Sequence, residues 1–298
     1  MIDKIVLRKN KLSKAELKQL LKKSKLRTHY KNSLIHYDNK DTKDFNGGFF
    51  IQIDTKGSLK VTGSVHKFNS FLKVGRLENW DNITMKQSKE TILKIFEYYG
   101  LGSLYGFEVK SVEIGANFET LISSSDILQK VDRIGNKKFY FHPRFKKESH
   151  KTTETHNDFR RVFRIYDKLH EIKDKGGKLP PNTENLIRCE QIYRRQYKLI
   201  LSEFLSLENL TKFETDFYKE LEKIKLIPFV EYVGTGIQSS IKKEVAKSVM
   251  IHGTKKALKL IKERHEKKEL TPKQYRLQRE FIRDWHEKEY YKDFILKE

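Results

Sequence analysis

Four segments of the chain place chemically capable side chains two residues apart, the spacing at which a strand sends them to one side. In Ser58–His66 these are Lys60, Thr62, Ser64 and His66, set against Leu59, Val61 and Val65. In Ser111–Phe118, Ser111, Glu113, Gly115 and Asn117 alternate with Val112, Ile114, Ala116 and Phe118. Arg164, Tyr166 and Lys168 line up in Arg161–Lys168, opposite Phe163 and Ile165. Arg188 and Glu190 line up in Leu186–Tyr193, opposite Ile187 and Cys189. If the apolar sides pack on helices, one polar face collects His66, Glu113, Asn117, Arg164, Tyr166, Lys168, Arg188 and Glu190.

That set has the chemistry for work on a phosphodiester. Glu113, Glu190 and His66 are candidate ligands for Mg²⁺ or Mn²⁺, and such an ion would polarise the phosphate. The Tyr166 oxygen is a candidate nucleophile. Arg164 and Lys168 would favour its ionised form and offset charge on the phosphoryl oxygens. A one-sided sheet is ordinarily polar where it meets solvent, and alternation alone does not make these strands neighbours. Tyr140, Tyr193 and Tyr197 are rival nucleophiles, but Tyr193 has the wrong parity relative to Glu190. His142, His150 and His156 fall in an expected loop and read as solvated. Phe49, Phe50, Tyr98 and Tyr99 could stack on unpaired bases, although they read first as packing residues.

The elements that must hold these residues follow from periodicity and caps. Strands are expected at Ile2–Arg8, Ser33–Tyr37, Gly48–Ile53, Ser58–Lys67, Phe107–Phe118, Lys138–His142, Arg161–Lys168 and Asn185–Tyr193. Helices are expected at Ser13–Leu26 and Thr84–Tyr99, whose Ser13/Glu16 and Thr84/Gln87 have capping-box spacing, and at Ser124–Val131. His142–Asp158 and Lys173–Asn185 read as loops. Beyond about residue 198 the chain turns helical, at Ser202–Ile224, Ser239–Met250, Thr254–Lys268 and Thr271–Tyr291, the last with Pro272 at its first position. The expected fold is α+β, an antiparallel sheet with helices on one face over residues 1–200. An all-helical region follows over 201–298, whose basic helices suit DNA contact or oligomerisation.

Composition narrows the class of partner. The 298 residues carry 62 Lys+Arg against 40 Asp+Glu, a net charge of +22. Such an excess points away from small-metabolite enzymes and toward polyanions, nucleic acid foremost. The single cysteine, Cys189, forms no intramolecular disulfide, and no Cys cluster suggests zinc. No apolar run is long enough to span a bilayer, and the charged start Met1–Arg8 does not read as a signal peptide, so the expected setting is cytoplasmic.

At these same residues the chain resembles the rolling-circle replication initiators of filamentous phages (the gene-two nicking proteins) and, more distantly, those of staphylococcal-type plasmids. Met1-Ile2-Asp3…Val6-Leu7-Arg8 is similar to the phage proteins' opening. Val112-Glu113-Ile114-Gly115-Ala116-Asn117 resembles their acidic strand, and Arg164-Ile165-Tyr166-Asp167-Lys168 the strand that holds the nucleophile. Ile187-Arg188-Cys189-Glu190 with Arg194-Arg195 resembles their later Arg-x-Glu strand. The resemblance covers residues 1 to about 200. It implies a nicking-enzyme-like catalytic sheet with Tyr166 as nucleophile and Glu113 and Glu190 as metal ligands. It also implies single- and double-stranded DNA at a replication origin as partner, with host helicase and polymerase acting afterwards. Arg188, Arg194, Arg195, Lys255 and Lys256 are the expected DNA contacts. The chain departs from the wider pattern in having Glu113 where the plasmid proteins have Asp, and in lacking a His-apolar-His motif. Two other readings stay open on sequence: a basic nucleic-acid-binding protein without catalysis, and a conjugative relaxase with the same chemistry.

Overall fold

The computed structural model describes residues 1–31, 34–39, 48–141, 150–154, 161–194, 199–226, 241, 244, 245, 248 and 254–284. The chain divides into two compact units, Met1–Ile224 and Lys225–Phe294. Along the first come β1 (Ile2–Lys9), α1 (Lys14–Lys23), β2 (Arg27–Lys31), β3 (Leu34–Asp38), β4 (Phe49–Ile53), β5 (Leu59–Ser64), α2 (Val65–Val74) and α3 (Met85–Tyr99). Then follow β6 (Glu108–Glu119), α4 (Ser124–Lys130), β7 (Val131–Ile134), β8 (Lys137–Lys138), β9 (Tyr140–Phe141), β10 (His150–Glu154), β11 (Arg161–Asp167), α5 (Lys168–Asp174), β12 (Leu186–Arg194), α6 (Leu201–Phe204) and α7 (Leu207–Glu222). Ten strands make one antiparallel sheet in the order β2-β3-β4-β5-β1-β6-β12-β11-β10-β9.

One face of this sheet is the core. Ile5, Leu7, Val61, Val109, Val112, Ile114 and Phe163 are almost wholly removed from solvent, each such side chain contributing about 1.5–3 kcal/mol. Helices α2, α3 and α7 cover it: Phe68 of α2 meets Phe49 edge-on at 5.8 Å, and Phe217 of α7 stacks on Phe163 at 6.1 Å. Phe213 of α7 meets Tyr193 at 4.8 Å. These aromatic contacts tie 201–222 to the sheet, so the first unit runs on past residue 200, where the change of sequence texture suggests a boundary.

Both capping boxes form as their spacing predicts, Ser13 with Glu16 and Thr84 with Gln87. The expected strand Ser58–Lys67 is shorter. It stops at Ser64, whose hydroxyl caps the Lys67 N–H, and Val65–Val74 is helix, closed by Gly75 in the left-handed region at φ 73°. The residues from Val65 keep the alternation of the strand by coincidence and bury Val65, Phe68 and Asn69 at helical spacing. His150 lies on β10 rather than in a loop; His142 and His156 lie outside the described residues.

In the second unit, α8 (Thr254–Glu266) and α9 (Pro272–Asp284) pack Ala257, Ile261, Leu270 and Ile282 together with Val245. Thr271 and Gln274 form a further capping box ahead of Pro272. Most of the expected helix Ser239–Met250 lies outside the described residues. Among the described residues no helix is long and apolar enough to cross a membrane.

Candidate functional site

The strand order brings the sequence-predicted residues together. β6, β12 and β11 are consecutive, and their registers pair Asn117 with Arg188 and Arg188 with Tyr166, then Gly115 with Glu190 and Glu190 with Arg164. Paired residues point to the same side, so Glu113, Asn117, Arg164, Tyr166, Arg188 and Glu190 share the face opposite the core. Tyr193, paired with Val112, is on the core side, its hydroxyl donating to Gln191 at 3.0 Å. Tyr140 sits exposed on β9, and Tyr197 is outside the described residues.

A third acidic residue joins them that alternation misses. Ile2 and Ile5 both face the core with only Asp3 and Lys4 between them, because the β1–β6 register slips by one residue there. This bulge turns Asp3 to the open face. One carboxylate oxygen from each of Asp3, Glu113 and Glu190 then lies within 4.8 Å of the other two. The sequence signal is the doublet Asp3-Lys4 between two core isoleucines, an interruption that strict two-residue alternation passes over.

Arg188 is the hub of the site. Its guanidinium is buried, donates from Nε to Glu190 Oε1 at 2.8 Å and from Nη1 to Asn117 Oδ1 at 2.9 Å, and pairs through Nη2 with Asp3 Oδ2 at 3.1 Å. Gly115 makes room for it: a Cβ there would meet the Cys189 carbonyl at 2.9 Å, Glu190 Cγ at 3.1 Å and Arg188 Nη2 at 3.3 Å. Arg188 is therefore an internal counter-ion, correcting its expected place among the DNA contacts. The Tyr166 hydroxyl donates to the same Glu190 Oε1 at 2.8 Å.

Lys168 is the first residue of α5, one step past the end of β11. Its buried ammonium donates to Asn79 Oδ1 at 2.8 Å and Glu171 Oε2 at 2.7 Å, and lies 6.0 Å from the Tyr166 ring centre. It thus anchors the segment between α2 and α3 beside the tyrosine. That segment supplies residues no motif indicates. Asn79 donates to Asp3 at 3.3 Å, while the Asn117 side-chain amide donates to the Asn79 and Asp81 carbonyls and Asn82 brackets the Asn117 backbone. His66, on helix rather than strand, is buried with Nε2 2.6 Å from Asp81 Oδ1. It lies outside the three-carboxylate group. Arg164 is half-buried with Nη1 3.9 Å from Glu190 Oε2. Arg194 is exposed at the end of β12, Lys256 is exposed on α8, and Arg195 lies outside the described residues.

The electrostatics follow from burial. Burial opposes ionisation of Asp3, but Arg188 outweighs it, with His66 and Lys168 adding to the effect, and holds the carboxyl well below its usual range. Burial, then the neighbouring Glu190, raises Glu113 to about 7, which Lys4, 4.0 Å away, moderates. Burial and then Glu190 push the Tyr166 phenol well above its ordinary value. Burial and then Arg188 lower the Lys168 ammonium, and Glu171 opposes them. Burial first, and the Glu190 charge second, favour the protonated form of Glu113 up to about neutrality. Three hard oxygen donors converging within 4.8 Å of one another fit a hard divalent cation.

Compared with known proteins, the chain matches no family model, and no curated protein sequence matches it. The resemblance to phage initiators therefore stands on its short motifs and their order.

Proposed function

We propose that this chain is a DNA-nicking replication initiator that opens one strand with Tyr166 and starts rolling-circle synthesis. The observation that carries this reading is the Tyr166 hydroxyl donating to Glu190 at 2.8 Å inside a cluster of three carboxylates on one sheet face. Asp3, Glu113 and Glu190 would hold Mg²⁺ or Mn²⁺. Such an ion, when bound, supplies Lewis-acid polarisation of a phosphodiester and favours the ionised carboxylates.

The chain's own residues divide the remaining work. Glu190 accepts the phenol proton as the Tyr166 oxygen forms its bond to phosphorus. The bond from phosphorus to the 3′ oxygen breaks, that oxygen takes a proton from solvent, and the 5′ phosphate stays on Tyr166. Arg164, on the half-buried side of the cluster, is placed to meet phosphoryl oxygens. Arg188 keeps Asp3 and Glu190 oriented, and Lys168 holds the segment around Asn79 against the tyrosine. The freed 3′ hydroxyl would serve host polymerase, with a helicase opening the duplex. Arg194 of the first unit, and Lys256 with other cations of the second, would add backbone contacts.

One observation favours the reading without catalysis, a basic nucleic-acid-binding protein: the phenol is buried at 8% exposure and holds its proton firmly. Purified protein on supercoiled DNA of the encoding replicon, with Mn²⁺ or Mg²⁺, separates the two. The nicking reading expects open circles and a protein–DNA adduct that survives denaturation and maps to the peptide containing Tyr166. Binding with neither nicks nor adduct under any divalent ion would leave the non-catalytic protein. An adduct on Tyr140 or Tyr197 would move the nucleophile.

A further inference from the structure

The open face of the sheet continues well beyond the acid cluster, and its character changes. Going down β1 from Lys4, the next residues on that face are Val6 and Arg8, set against Thr62 and Lys60 of β5. On the β6 side a second slip in register, between Val6 and Leu7, turns Lys110 and Ser111 outward as neighbours. The middle of this surface is a floor of partly exposed, short side chains, Val6, Thr62 and Ser111. Its far end is an open cavity of about 360 Å³ lined by Arg8, Gln52, Lys60 and Lys110 along with Leu7, Leu59 and the turn residues Asp54 and Ser58.

Two features of that end ask for an anion. Arg8 and Lys60 are directly opposite one another on paired strands, an arrangement of like charges that costs stability. Neither makes an ion pair with a carboxylate among the described residues. The acidic groups at hand are engaged elsewhere: Glu108, opposite Arg8 on β6, is paired with Lys110, and Asp54 accepts the Lys56 and Ser58 backbone N–H groups in its own turn. Phe50 stands partly exposed beside the floor, opposite Thr62 on β4. A flat floor edged by cations, with one aromatic ring at its side, matches the way proteins hold an unpaired strand, backbone on the cations and a base on the ring.

We infer that the open face of β4, β5, β1 and β6 is a track for one unpaired nucleic-acid strand, with a backbone phosphate between Arg8 and Lys60 and a base on Phe50. The four steps from Lys4 to Arg8 span roughly 13 Å at strand rise, so this phosphate is a few nucleotides from the one at the acid cluster. The inference rests on the nicking reading only for the direction of the strand toward Tyr166, since binding does not require cleavage.

The test is fluorescence anisotropy of the full-length protein with a labelled single-stranded oligonucleotide, in EDTA, as a function of salt. Arg8→Ala/Lys60→Ala is expected to weaken binding about tenfold and to reduce the slope of log K against log salt by roughly 1.4, two contacts at about 0.7 each. Both side chains are exposed, so this variant should melt within a few degrees of wild type, which separates loss of contact from loss of fold. Phe50→Ala should weaken binding with an unchanged salt slope. Lys86→Ala/Lys94→Ala, on α3 away from this face, is the control and should bind as wild type. An Arg8/Lys60 variant with wild-type affinity and slope would overturn the track, as would equal losses in the control. Binding that follows these expectations in a protein that never nicks would keep the track and remove the catalytic reading.

Discussion

The two ends of β1 hold charge in opposite ways. At one end, Asp3 sits under a bulge with Glu113, Glu190, Arg188 and Lys168. There most polar atoms have partners inside the protein, and burial and neighbouring charges together set the ionisation of Asp3, Glu113, Arg188 and Lys168. At the other end, Arg8 and Lys60 stand in solvent, facing each other across a strand pair, and neither is ion-paired with a carboxylate among the described residues. The first arrangement is rigid because removing any member strands a buried charge. The second is cheap to alter, since solvent screens it. A buried network suits a geometry that must be kept, and an exposed one suits a partner that comes and goes.

The sharpest way to break this contrast is at its most constrained group. Tyr166→Phe keeps the ring but removes the oxygen, so nicking should fall by roughly 10³-fold or more, while fold and oligonucleotide binding stay, as agarose nicking and anisotropy would measure. A variant that nicks normally would move the chemistry off the buried end. Next comes Arg188→Met, which leaves Asp3 and Glu190 buried without their cation. It should cost about 3–5 kcal/mol in urea unfolding, and added Mn²⁺ should recover part of the loss in unfolding midpoint. A cost as small as a surface substitution would mean that the hub is dispensable.

The acid end should also carry a pH signature that the basic end lacks. Glu113 keeps its proton to about pH 7 in the fold, against an ordinary value near 4.5. Between those pH values the native state binds the extra proton, so this group makes stability fall as pH rises through that window, by up to about 3 kcal/mol. Glu113→Gln should flatten that part of the curve, followed by thermal melting from pH 4.5 to 8, and Mg²⁺ should flatten it in the wild type by holding Glu113 ionised. An unchanged slope in Glu113→Gln would assign the titration elsewhere. The smallest effect is expected from Lys4→Met. It takes away the cation 4.0 Å from Glu113 and should move the same midpoint to higher pH by less than about one pH unit, visible in the carboxyl resonances of labelled protein.

Strand alternation set which side of its own strand each of Glu113, Asn117, Arg164, Tyr166, Arg188 and Glu190 takes, because each lies within an unbroken strand where side is set by counting; the pairing of β6, β12 and β11 then made it one face. Capping spacing likewise located the starts of α1 and α3, since Ser13/Glu16 and Thr84/Gln87 satisfy backbone groups of their own turn. Both are local matters, decided within a few residues. What lay beyond the sequence was decided by neighbours. Asp3 reaches the site only because β1 bulges against β6, and a bulge is a property of a strand pair. His66 left the strand pattern because Ser64 caps a helix whose apolar side had a sheet to pack on. Arg188 reads as a surface cation by composition, yet Asp3 and Glu190 bind it inside. No count along the chain reports that a carboxylate 185 positions earlier is 3.1 Å away. Residue type and period determine which side a group faces; only the packing of strands distant in sequence determines which charges meet there, and burial then sets what those charges can do.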